Sequence, residues 1–221
     1  MKAKALLISA ALSCSTLAAH GFEKTMLFFY GLNDVHGQTA IVRESGHVDA
    51  YGGSTIQAYD QAMIKAYDTS TVEAYGHSVV YANAQSKVKA FDNTRIFAEN
   101  AADVDATGSA NVQASGNSTV VAHGNVNVIA KGNATVKAYD NATVFAADKC
   151  KIEAHGNAVV MALGNSTITA DGNASVRAYA NCNVTASDNA TVEAYDRATV
   201  TATKTVQVQL HDEAKQVIAK G

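Results

Sequence analysis

The chain has 221 residues, of which 48% are hydrophobic and only 7% aromatic, so small side chains must fill most of its interior. Its 17 basic and 20 acidic residues give a formal charge of −3, which argues against nucleic acid or an anionic membrane as a partner, because both need a basic surplus. The 3 Cys lack C-x-x-C spacing and indicate neither a zinc site nor a redox motif. Beyond residue 20 no apolar run approaches the roughly 18 residues of a membrane-spanning helix, so no span is expected.

Residues 1–20 have the layout of a secretory signal peptide, with two Lys, an apolar run over 5–12 and then small residues. Cleavage is expected after Ala18 or Ala19. A lipid-anchored Cys14 and an uncleaved N-terminal helix or strand remain alternatives. A cleaved signal predicts an extracellular or surface-exposed protein.

Residues 21–43 are rich in aromatic side chains, including Phe22, Phe28 and Phe29. This composition predicts an N-terminal cap over the open end of a repeat domain. The alternative is a docking segment for a partner, with these three Phe as contact residues.

An eight-residue repeat dominates the rest of the chain. From Val48 to Val208 every eighth residue is Val or Ile, and the residue two positions later is Ala from Ala50 to Ala202, until Leu210 breaks the pattern. A small residue usually stands two positions before each Val or Ile, while the positions between are mostly polar. This alternation predicts one short strand per octad, and Gly or Asp followed by Asn supplies the turn.

Strands this short cannot bury a face alone, so the octads predict an all-β fold, a parallel β-solenoid over residues 44–204 with a C-terminal cap at 205–221. The number of octads per coil follows from the outward apolar residues. Tyr81, Phe97, Ile129, Phe145 and Met161 lie at multiples of 16 from one another, which favours two octads per coil over a three-sided, 24-residue coil. About ten coils then give a rod on the order of 50 Å long at about 4.8 Å per coil.

A two-sided coil places the outward apolar residues other than Val121 on one face, and we call this set the apolar stripe: Met63, Val79, Tyr81, Phe97, Ile129, Phe145, Val159 and Met161. Arg95 and Gln113 interrupt it, and the opposite face is mostly Thr and charged residues. An exposed stripe of this extent usually marks an interface, so we expect partner binding here. The alternative is that a cap or the N-terminal segment folds over it.

Other candidate residues have simpler explanations in the repeat. His123 and His155 are two coils apart, too far to share a metal, and are expected to be solvated turn residues. Cys150 and Cys182, also two coils apart, should be buried and unpaired. The turn Asn should form side-chain ladders, and the turn Asp lack the calcium pattern of nonapeptide repeats. With no insertion to carry a catalytic site, the sequence predicts a protein that is not an enzyme and has no cofactor or metal.

Octads such as GNATVKAY at 132–139 resemble the central repeat of bacterial ice nucleation proteins, in period, inward small-Val-Ala pattern and turn Gly beside Tyr. The resemblance covers roughly residues 44–204. It implies a β-solenoid with water-ordering Thr-x-Thr rows, found here at 167–169 and 199–201, and Tyr ladders that help association. Similar octads also occur in uncharacterised bacterial surface and phage-associated proteins.

Together these observations predict a structural or adhesive surface module that binds a second copy or another structural protein. Ice binding is one alternative function. A phage-type fibre or polysaccharide-binding module is another, with a glycan partner and a virion-associated location.

Overall fold

The computed structural model describes residues 7–8, 25–28 and 30–219, and within them it shows two parallel β-sheets. The first, 14-stranded sheet consists of β1 (Leu7–Ile8), β2 (Thr25–Phe28), β4 (Thr39–Val42), β6 (Thr55–Ala58), β8 (Thr71–Ala74), β10 (Lys87–Ala90), β12 (Asp103–Ala106), β14 (Thr119–Ala122), β16 (Thr135–Ala138), β18 (Lys151–Ala154), β20 (Thr167–Ala170), β22 (Asn183–Ala186), β24 (Thr199–Ala202) and β26 (Lys215–Ile218). The second, 12-stranded sheet consists of β3 (Leu32–His36), β5 (His47–Tyr51), β7 (Met63–Ala66), β9 (Val79–Ala82), β11 (Arg95–Ala98), β13 (Asn111–Ala114), β15 (Asn127–Ala130), β17 (Thr143–Ala146), β19 (Val159–Ala162), β21 (Ser175–Ala178), β23 (Thr191–Ala194) and β25 (Gln207–Leu210).

From β2 onward, consecutive strands alternate between the two sheets, so each coil contains two strands and two turns. Within each sheet of the repeat a residue pairs with the residue 16 positions later, as Val88 does with Val104. The predicted parallel β-solenoid with two octads per coil is therefore confirmed, and the three-sided coil is wrong. The 12 strands of the second sheet correspond to about 12 coils, close to the expected ten.

The core lies between the sheets and is built from small side chains. Inward residues such as Val136 and Ala138 have no exposed surface. Because the column of Ala brings the two sheets close together, there is little room for anything larger. Cys150 and Cys182 lie in this core as free thiols, as predicted, and burial raises the pKa of both.

From Glu44 to Asp196 every turn places its first residue in the left-handed region of backbone conformation, and most of these residues are Gly or Asp, which tolerate it. Asp140 has a φ of 57° there and accepts a hydrogen bond from the backbone N–H of Gly124, one coil earlier. Equivalent bonds link further coils, with Asp60, Asp68, Asp92, Asp148, Asp188, Asp196 and Asp212 as acceptors. The turn carboxylates thus connect neighbouring coils.

The residues after these Asp and Gly form the predicted amide ladders. Asn173 donates to Asn157, which in turn donates to Asn141, at 3.3 and 3.4 Å. Asn133 donates to Asn117 in the same way on the other edge of the solenoid.

The described part of the N-terminal segment continues both sheets. Its first coils are 14 and 15 residues long, because Thr25 pairs with Thr39 and Leu32 with His47. Phe28 is buried in the core with 7% of its surface exposed. Phe22, Phe29 and, apart from β1, the predicted signal segment lie outside the described residues.

The segment predicted as a C-terminal cap forms one further coil. Its strands β25 and β26 pair with β23 and β24 in the regular register. Leu210 and Ile218, which occupy Ala positions of the repeat, are 41% and 62% exposed at this end.

Candidate association surface

The structure brings all eight residues of the apolar stripe onto the 12-stranded sheet. They project from β7, β9, β11, β15, β17 and β19, on the side facing away from the core. Val121, the one outward apolar residue of the octads that was out of phase with the stripe, lies on β14 in the other sheet. Outward residues that are multiples of 16 apart therefore share one face of the molecule.

The residues of the stripe lie in two columns of outward side chains. Each column runs along the solenoid axis with one residue per coil and also contains polar residues. We call them the outer column, from Tyr81 through Phe97, Gln113, Ile129 and Phe145 to Met161, and the inner column, from Met63 through Val79, Arg95, Asn111, Asn127 and Thr143 to Val159. The rings of Tyr81 and Phe97 are stacked with centroids 4.8 Å apart. Ile129, Phe145 and Val159 are 43–46% exposed, so a large part of their apolar surface faces solvent.

Charged pairs lie beyond both ends of the outer column. In the coils that precede Tyr81, Lys65 Nζ is 3.9 Å from Asp49 Oδ2. In the coils that follow Met161, Arg177 Nε donates a hydrogen bond to Glu193 Oε2 at 3.0 Å. Hydrogen bonding to Arg177 lowers the pKa of Glu193 below its ordinary value. Both ends of the stripe are thus marked by an acid and a base, with the base nearer the apolar residues.

No segment among residues 25–28 and 30–219 folds across the stripe. The part of the N-terminal segment that the structure describes adds strands to the ends of the two sheets instead. Phe28, predicted as a contact residue, is packed in the core. The expectation that Phe22 and Phe29 bind a partner concerns residues outside the described part of the chain.

The opposite, 14-stranded sheet presents Thr and charged side chains. Glu153 lies between two lysines, with Lys137 Nζ at 3.1 Å and Lys151 Nζ at 3.4 Å. The hydrogen bond from Lys137 lowers the pKa of Glu153, while the pKa of Lys137 is raised. Near the C-terminal end, three successive coils carry the pairs Thr167 and Thr169, Asn183 and Thr185, and Thr199 and Thr201.

The turn residues that follow the strands form aromatic ladders; the resemblance implied ladders of Tyr, but it was not expected that His123 and His155 would take part in one. His123 and His155 stack on either side of Tyr139, with centroids 4.7 and 4.9 Å away. His155 Nδ1 also lies 2.9 Å from the carboxylate of Asp171. The sequence does contain a signal for this ladder, because successive members of it are 16 residues apart and occupy the same octad position: His123, Tyr139, His155 and Asp171.

These ladders turn ring faces toward one another. Tyr51 and Tyr67 stack at 4.8 Å, and Tyr179 and Tyr195 at 4.7 Å. Each ring therefore offers mainly its edge to solvent.

Across the part of the chain that the structure describes, no three His, Cys, Asp or Glu side chains are grouped as metal ligands would be. Nor does any helix there have the length and apolarity to cross a membrane. Comparison with protein-family models, with curated proteins and with solved structures found no match for the chain.

Proposed function

We propose that this chain is a stiff, non-enzymatic structural module that associates side by side with a second copy through the apolar stripe. The observation that carries this proposal is the sorting of outward residues: eight apolar side chains lie on one sheet, while the other is mostly polar and charged. Monomeric proteins rarely leave large apolar patches open to water. Association would remove it from solvent, with about 25 cal/mol gained per Å² of apolar area buried.

The uniformity of the coils supports a structural role. Catalytic side chains usually stand on loops that depart from the scaffold. Between β5 and β25, four-residue strands alternate with short turns, and the 16-residue register has no insertion. The stiffness of such a stack comes from hydrogen bonds between every pair of neighbouring coils.

Size-exclusion chromatography with light scattering on the full chain tests the proposal. The parent chain should elute as an oligomer, and the double variant Phe97→Ser, Phe145→Ser as a monomer. Val121→Ser is the matched control, because it makes the same kind of change on the opposite sheet and should leave the oligomer intact. A monomeric parent would overturn the proposal.

We further propose presentation of this module outside the cell or on a particle surface, which the signal-like composition of residues 1–20 supports. Fractionation of the native host checks this, since the mature chain should be found outside the cytoplasm. Recovery in the cytoplasm alone would contradict it.

Ice binding is a second candidate, and a specific observation favours it. The hydroxyls of Thr167, Thr169, Thr185, Thr199 and Thr201 lie in neighbouring coils of one sheet, at the coil spacing of about 4.8 Å. Thr185→Val, in the middle of this group, should reduce thermal hysteresis or freezing activity if that function exists. No activity of the parent chain at high concentration would exclude it.

A further inference from the structure

The apolar stripe has a two-fold pattern about strand β13. Counting coils outward from β13, six of the eight stripe residues have an apolar counterpart at the same distance on the other side, while Val79 is opposite Thr143 and Met161 is opposite Lys65. The matched pairs are Phe97 with Ile129, Tyr81 with Phe145, and Met63 with Val159. A face that is symmetric in this way is complementary to itself after a half turn.

From this pattern we infer that the second copy packs antiparallel, with a two-fold axis that runs along the strand direction through Asn111 and Gln113 of β13. This inference rests on the proposed self-association and specifies its geometry. Rotation about that axis reverses the order of the coils but keeps each column facing itself. Each residue of the outer column then meets the residue an equal number of coils away on the other side of β13.

This arrangement explains the polar interruption of the stripe. Gln113 stands between Phe97 and Ile129 in the outer column and is exposed in the single chain. On the axis it faces Gln113 of the second copy, and one amide can donate a hydrogen bond to the other. Asn111, its neighbour on β13, faces its own copy in the same way. A polar residue that is satisfied in only one register is a known means of fixing the alignment of two copies.

Shifting the axis by one coil, to β15, pairs Phe97 with Met161 and Ile129 with itself, but it separates the two copies of Gln113. Gln113 would then face Phe145 of the second copy, and burying its amide there without a partner is unfavourable. Arg95 would face Val159, so a guanidinium would also meet an apolar side chain. The register centred on β13 instead places Arg95 opposite Asn127.

The other possible face-to-face arrangement has the axis along the solenoid. There the outer column would face the inner column of the same coil. Ile129 would meet Asn127 and Phe145 would meet Thr143, so two of the most exposed apolar side chains would face polar groups. The antiparallel arrangement gives both an apolar partner.

Charges beyond the stripe favour the same register in part. Four coils from the axis, Asp49 faces Arg177 of the second copy, which adds an attraction between opposite charges. Lys65 faces Met161, whose side chain can pack on the lysine stem. One coil further out Asp34 faces Glu193, a like-charge contact at the solvated rim, where screening is strong.

Two matched cysteine variants test the register. Asn111→Cys and Asn127→Cys make the same substitution in the same column, on neighbouring strands of the sheet and one coil apart along the axis, in a Cys14→Ser background. A short bismaleimide that spans the roughly 10 Å between packed sheets is added to each. Asn111→Cys should give a covalent dimer, whereas Asn127→Cys should give little, because its two copies are offset by two coils.

Light scattering on both variants before crosslinking separates the possible failures. If they are oligomers but Asn127→Cys crosslinks better, or both crosslink equally, the antiparallel register about β13 is wrong while self-association stands. If neither crosslinks although both are oligomers, the register is equally wrong. If both are monomers although the parent is an oligomer, Asn111 and Asn127 matter equally for association, which contradicts the self-pairing that singles out Asn111; a monomeric parent overturns both proposals.

Discussion

Asp140 accepts a hydrogen bond from the backbone N–H of Gly124 at 2.9 Å, and so ties the turn of one coil to the turn of the coil before it. The same residue has a left-handed backbone, which a short polar side chain tolerates better than Ala does. One side chain thus serves both the shape of a turn and the stacking of coils.

Ala180 occupies the equivalent turn position with a φ of 59° but has no carboxylate to offer. Ala180→Asp should therefore stabilise the fold by about 1 kcal/mol, because it eases the left-handed backbone and adds a bond from the N–H of Gly164. Chemical denaturation of the two proteins measures this. Ala180→Gly is the control that relieves the backbone without adding the bond, and equal stability of the Asp and Gly variants would contradict the role given to the carboxylate.

Buried hydroxyls at the inward small position differ in their bonding. Ser54 Oγ donates to the carbonyl oxygens of Val35 and Tyr51, at 2.9 and 2.6 Å, while Ser86 Oγ is buried without a partner. Ser54→Ala should cost about 1 kcal/mol, and Ser86→Ala should be neutral or stabilising by a similar amount. Denaturant unfolding of both variants and of the parent chain measures these changes in the free energy of unfolding. The reverse order of stability would show that the two hydroxyls are bonded differently from this description.

The Ala column sets the distance between the two sheets. Ala138→Leu should destabilise the fold by roughly 1–3 kcal/mol or more, because the inward side has no room for a larger side chain. Thr135→Leu on the same strand points outward and should change stability by no more than about 0.5 kcal/mol. Similar effects of the two substitutions on the unfolding midpoint would contradict the assigned strand orientation.

Acid should remove the contribution of Glu153 to the stability of the fold. Its pKa is lowered by Lys137, so its stabilising effect is present above its unfolded pKa of about 4.3 and is lost as the pH falls through the lower, folded value. Wild type should melt at a higher temperature than Glu153→Gln at pH 7, and this difference should shrink toward pH 3. A difference that stays constant over that range would contradict the pairing.

Much of this architecture follows from the sequence because the repeat is so regular. The strand phase, the coil length and the face that carries Phe97 and Phe145 all derive from spacings of eight and 16. A core of Val and Ala with Asn turns leaves the chain few other ways to bury its apolar positions.

The ends were harder to predict, because there the period changes. The coil from Leu32 to His47 has 15 residues, so the strand at Leu32 falls outside a search for octads. In β26 the residue paired with Val200 is Gln216, so the last strand does not continue the spacing of Val and Ile that identifies the other strands. The bonds of the turn Asp also depend on the side-chain direction, which spacing alone does not give.

Small-angle X-ray scattering of the full chain tests the side-by-side association most directly. A stack of about 12 coils is roughly 60 Å long. We predict that the parent particle has twice the mass of the monomeric variant Phe97→Ser, Phe145→Ser. Its maximum dimension should be nearly that of the variant, and its cross-section should be wider. A particle of about twice that length would contradict side-by-side association, because it would mean that copies join at their ends, where Leu210 and Ile218 are exposed. A parent chain that scatters as a single narrow rod, with the mass of a monomer, would also contradict it.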